Sequence, residues 1–123
     1  MPGSMPMIET DAVRALVDIG FIALSRGLDR HAEAIFDGVT AARPDGEAGP
    51  LGMALVALLR SDADRAVKLL RTLPPSDPVR LFLGMALLRR GDRADAARIL
   101  TDVAATAADA GTAELARATL AGA

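Results

Sequence analysis

The chain has 123 residues, no cysteine, and 16 acidic against 14 basic side chains, for a net charge of −2. Such a length suits one domain that buries its core unaided, and the lack of cysteine excludes disulfides, thiolate metal sites and thiol nucleophiles. Near neutrality argues against general electrostatic binding to nucleic acid, and no apolar run approaches the ~20 residues of a membrane span.

Residues 1–9 are expected to form a flexible arm without a basic region or secretory hydrophobic segment, so the chain reads as soluble and cytoplasmic. Helical periodicity then places a first helix from Thr10 or Asp11 to Arg26 and a second from Asp29 to Ala42. Pro44-Asp45-Gly46 makes a turn. A third helix covers Pro50–Arg60 and a fourth Ala63–Leu73, closed by Pro74-Pro75. Asp77-Pro78 is predicted to cap a fifth helix reaching Arg89, with proline in its first turn. A sixth runs from Asp92 to about Ala107. Asp109 to Gly111 breaks the chain again, and Thr112 is predicted to cap a last helix over 113–120. Seven helices and no β-rich run predict an all-α domain.

Two of these helices are unusual. Residues 50–60 (P-L-G-M-A-L-V-A-L-L-R) and 81–90 (L-F-L-G-M-A-L-L-R-R) are apolar right round the helical wheel. A helix of that kind has to be covered on two sides. Both belong to an internal repeat, Leu-x-Arg-[Gly/Ser]-x4-Ala, found at Leu24–Ala32, Leu58–Ala66 and Leu88–Ala96. In each copy the glycine or serine stands where one helix stops, and Asp29, Asp62 or Asp92 lies where the next begins.

Helix pairs of this period resemble the tetratricopeptide repeat. Gly20, Ala32, Phe36 and Pro44 match its spacing in the first unit, as do Ala54, Ala66, Leu70 and Pro78 in the second and Gly84, Ala96 and Leu100 in the third. The aromatic residues usual on the first helix are replaced by Leu16 and Ala23, and the second unit is about four residues short. The resemblance implies three stacked helix pairs, at about 13–46, 47–76 and 77–109, in a right-handed α-solenoid with a capping helix at 112–121. Residues 10–123 then form a single domain.

The family's first helices line a concave groove. Carried onto this chain, the groove comprises Val17, Phe21, Leu24, Leu51, Leu55, Leu58, Leu59, Leu81, Met85 and Leu88, with Arg14, Ser25, Ala48, Pro78 and Arg89 beside them. Leu16, Ile19, Ala23, Met53, Ala57, Leu83 and Leu87 are then core-facing. Covering even ~400 Å2 of such a groove is worth on the order of 10 kcal/mol before the costs of binding. Leucine and methionine replace the Lys, Asn and Arg of carboxylate-binding grooves in the family, so the resemblance implies an amphipathic helix as ligand. A second copy of the chain, or the chain's own termini, are the other covers to be weighed.

A narrower likeness follows. The segment V-D-I-G-F-I-A-L-S-R-G-L-D-R-H-A-E-A-I-F (17–36), and then A-R-P-D, resembles small tetratricopeptide-type proteins of bacterial type III secretion. These are the needle-subunit co-chaperones and the Hrp-type family of plant-associated bacteria. The resemblance implies a cytoplasmic chaperone that, with a second small helical protein, holds the needle subunit's amphipathic C-terminal helix.

Catalysis finds no support in the residues. His31 is the only histidine, at a helix start beside Arg30 and Glu33, and reads as a surface residue. No ligand spacing suggests a metal, no serine has an evident base partner, and there is no phosphate-binding glycine loop. Asp62/Asp64 and Asp92/Asp95 are helix-start charges favoured by the dipole. Arg89-Arg90-Gly91-Asp92-Arg93 lacks the aromatic neighbours of a nucleic-acid contact and reads as a solvated helix end. No enzyme activity, cofactor or metal is expected.

Overall fold

The computed structural model describes the backbone from Met5 to Ala123 and side chains from Thr10 onward. The described residues form seven helices and no strand: α1 (Met5–Ser25), α2 (Asp29–Ala42), α3 (Ala48–Leu59), α4 (Ala63–Arg71), α5 (Asp77–Arg90), α6 (Arg93–Thr106) and α7 (Ala110–Ala121). They divide into two compact units, Met1–Arg60 and Ser61–Ala123. In the first, α1, α2 and α3 all pack on one another. In the second, α4 packs on α5, α5 on α6 and α6 on α7, and α7 also touches α5.

The core of the first unit is built around Phe36, which is fully buried with Ala23, Ala32, Val39 and Val56 about it. Two glycines make room for its ring. A Cβ on Gly20 of α1 would lie 2.6 Å from Phe36 Cζ, and one on Gly52 of α3 only 2.1 Å from Cδ1. The second unit repeats the device with an aliphatic wedge. A Cβ on Gly84 of α5 would stand 2.6 Å from Cδ2 of buried Leu100, which clusters with Leu81, Val103 and Ala116.

The three Leu-x-Arg motifs end their helices in the same way. Gly27, Ser61 and Gly91 all take left-handed backbone angles, with φ of 71°, 62° and 96°. After Gly91 the αL cap satisfies the last carbonyls of α5.

The helix limits differ from the predicted ones where a cap or a proline was misread. Helix α1 begins at Met5, so the predicted arm is helical over 5–9, while residues 1–4 lie outside the described residues. A proline at position 6 is compatible with that start, since the first turn needs no N–H from it. The same tolerance lets α3 begin at Ala48 with Pro50 inside its first turn. Ser76, not Asp77, is the N-cap of α5, its side chain accepting from the Val79 N–H. Asp109, not Thr112, caps α7, accepting from the Thr112 N–H at 2.8 Å and its hydroxyl at 3.0 Å. Helix α4 stops at Arg71, tightening into i→i+3 bonds at Thr72 and Leu73, because a residue before proline avoids the helical region.

Freed from capping, Asp77 joins a network instead. Its carboxylate accepts from Arg80 at 2.8 Å and from the Ala108 N–H at 3.0 Å, while Arg80 also bonds Asp102 of α6. The Arg80 guanidinium, with the Ala108 N–H second, holds the Asp77 carboxyl below the usual carboxylate range. A depressed folded-state pKa gives stability that is present above the ordinary aspartate value and lost as pH falls through the lower one. The melting-temperature gap between wild type and Asp77→Asn should therefore be widest at neutral pH. It should close below about pH 4, as read from thermal melts across an acid series.

Candidate protein-binding surfaces

The ten residues assigned to the groove divide by burial. Leu51, Leu58 and Leu81 are interior, at 6%, 7% and 3% exposure, and Leu81 belongs to the Leu100 cluster. Val17, Leu24, Leu55, Met85 and Leu88 are half-buried, and Phe21 and Leu59 are exposed. The physical reason is the one that made α3 and α5 unusual. A helix apolar all round puts some of its leucines into the core and leaves others at the surface.

In the first unit the accessible members lie on α1 and α3, which touch each other. Val17 and Leu24 pack on the Phe36 core from its margin. Phe21 stands edge-on to Phe36, with ring centroids 5.4 Å apart and planes at 71°, and keeps 36% of its surface exposed. Such a ring is held from beneath by an edge-to-face contact and still offers an apolar surface outward. Leu59 ends α3, followed by Arg60, whose guanidinium is clamped by Asp29 at 2.7 Å and Glu33 at 2.9 Å. That clamp ties the end of α3 to the start of α2. The hydrogen bond from Arg60 holds the Asp29 carboxyl below its ordinary value, and Arg60 in turn is held still more firmly charged, first by Glu33 and then by Asp29.

In the second unit Met85 packs on the Leu100 cluster. Leu88 lines a small cavity of about 220 Å3 with Ala97, Leu100, Leu120 and Ala123. A wider, open cavity of about 630 Å3 lies elsewhere in this unit, walled by Pro75, Leu83, Ile99 and Ala105 with Arg80 and Asp102 among its lining. Sequence reasoning missed it. Leu83 was assigned to the core and is half-buried, and nothing in the sequence signals that Arg80 and Asp102 meet.

The core-facing assignments need one correction. Ala23, Ala57 and Leu87 are buried and Met53 is half-buried, but Leu16 and Ile19 are 36% and 50% exposed. Within the first unit α1 packs on α2 and α3, and the side that carries Leu16 and Ile19 is left exposed.

His31 is exposed. Among the described residues no three His, Asp or Glu side chains come together as metal ligands would, and no helix is long and apolar enough to cross a membrane. Comparison with protein-family models, with curated proteins and with solved structures found no match.

Proposed function

We propose that the chain is a protein-binding module made of tetratricopeptide-type helix pairs, with α7 as their cap. Its ligand is an amphipathic helix laid on the apolar α1/α3 face of the first unit. One observation carries this reading: Phe21 and Leu59 remain 36% and 42% exposed on two helices that pack together, which also carry the half-buried Val17, Leu24 and Leu55. The repeat assignment is supported by the matched wedges, Phe36 against Gly20 and Leu100 against Gly84, at one and the same spacing. It is supported further by the three left-handed turns of the Leu-x-Arg motifs.

The resemblance of residues 17–36 to type III secretion proteins points to the kind of partner. We infer a cytoplasmic chaperone that masks the amphipathic helix of a secreted, needle-type subunit, together with a second small helical protein. Its chemistry fits a face that offers apolar area and no charged clamp for a peptide terminus.

The test is capture of the tagged chain from its native host, followed by reconstitution of the complex from purified components. A small helical subunit should be recovered at equal stoichiometry. Leu59→Asp combined with Phe21→Asp should weaken its binding at least about tenfold while the helical circular-dichroism signal is retained. Binding that is indifferent to both substitutions sinks this reading.

A further inference from the structure

The outer face of α1 is apolar and open. Leu16, Ile19 and Ile22 are 36%, 50% and 52% exposed. With the exposed Ala12 and Ala15 they form one stripe, since residues three and four apart share a helix face.

The later motifs show what such a face meets. In register with Ile22 stands Val56 of α3, which is 2% exposed and packs in the core with Phe36 and Val39 of α2. In register again is Ala86 of α5, fully covered on a helix against which α4 packs. The motif arginines repeat the contrast. Arg60 is clamped by Asp29 and Glu33 at the start of α2, and Arg90 pairs with Asp64 at the start of α4 at 3.6 Å. Arg26, just past the end of α1, makes no ion pair among the described residues. The α1 face therefore lacks an apolar helix that carries a carboxylate opposite Arg26.

Helix α1 itself has that composition. Asp11, Ala15 and Ile22 follow one line along it, and Ile19 stands near the middle of that line. Arg26 continues it in the turn that ends the helix, where the Arg26 N–H still bonds the Ile22 carbonyl. A second α1 laid antiparallel about a two-fold axis between Asp18 and Ile19 sets Ile22 against Ala15 of the other copy. Asp11 and Arg26 each lie about 11 Å along the axis from that centre, at 1.5 Å per residue. Each Asp11 thus meets Arg26 of the other copy. These two opposite-charge pairs stand against one like-charge pair of exposed Asp18 side chains at the rim beside the axis. A parallel pairing would put arginine on arginine and aspartate on aspartate throughout. The contact is isologous and closes on itself.

We propose that the outer face of α1 is a homodimer interface in which two α1 helices pair antiparallel, with Asp11 of one copy bonded to Arg26 of the other. This surface is distinct from the α1/α3 ligand face, and the inference does not depend on it. Sedimentation equilibrium across the micromolar range should return twice the chain mass of 12.7 kDa. Ile19→Asp and Ile22→Asp should each raise the dimer Kd at least about tenfold with the helical signal kept, and Leu59→Asp should leave it unchanged. Asp11→Arg should weaken the dimer and the double exchange Asp11→Arg/Arg26→Asp should restore it. A monomer throughout the range, or a dimer that ignores Ile19→Asp and Ile22→Asp, overturns the proposal. A charge exchange that restores nothing overturns the antiparallel pairing.

Discussion

Phe36→Ala is expected to lower stability by about 3–5 kcal/mol, the range for emptying a buried aromatic site. The ring is fully buried, Phe21 rests on it edge-on, and two glycine-bearing helices close on it. Neither Gly20 nor Gly52 has a side chain to move into the space. Collapse would have to come from the backbones of α1 and α3, which their packing on α2 resists. Since domains are stable by only about 5–15 kcal/mol in all, the variant should sit close to its unfolding threshold. A urea titration followed by circular dichroism will report the loss as a fall in midpoint. A loss of less than about 1 kcal/mol would mean that the site relaxes, and that Phe36 is not the wedge of this unit.

Gly52→Ala attacks the same contact from the other side. Its Cβ would enter 2.1 Å from Phe36 Cδ1 and 2.3 Å from Cγ and Cε1. The ring cannot retreat, because Gly20 sits close on Cζ and Cε2. Overpacking of this sort costs about 1–3 kcal/mol or more, offset by about 1 kcal/mol of better helix propensity. A net loss is expected, and the Phe36→Leu background should reduce it, since neighbours that share a contact are not additive. Gly38 offers the control: it is exposed on α2, and a Cβ there meets nothing within 4 Å. Alanine at Gly38 should therefore stabilise the protein by up to about 1 kcal/mol.

Much of the helix order was legible in the sequence because the stops are local. The Leu-x-Arg-[Gly/Ser] motifs, the Pro44-Asp45-Gly46 turn and the Pro74-Pro75 pair act within a few residues of themselves. Gly20 and Gly84 were legible too, through the repeat. Gly52 was not, since repeat spacing led to Ala54 and nothing in an apolar run distinguishes one small residue from another. The caps at Ser76 and Asp109 were misplaced because two candidate oxygens stood near each helix start.

Exposure was the least legible property. Leu58 and Leu59 are the same residue type side by side, yet one is 7% exposed and the other 42%. Leu16 and Ile19 have the composition of core positions, and their exposure follows from which helices pack on α1. Burial of this kind is decided by neighbours far away in sequence, so a local pattern cannot supply it.

Ser61 has the least comfortable backbone of the three motif turns. A left-handed angle suits the glycines at 27 and 91, but on a residue with a Cβ it costs about 1–2 kcal/mol. Serine therefore does not choose this angle; its neighbours impose it. On one side Arg60 is anchored to Asp29 and Glu33, and on the other the Asp62 carboxylate accepts from the Arg65 N–H to start α4. The repeat is thus conserved within the molecule as a path of the chain rather than as a letter. Its middle turn is held by the charges on either side of it, at the residue where the second unit begins.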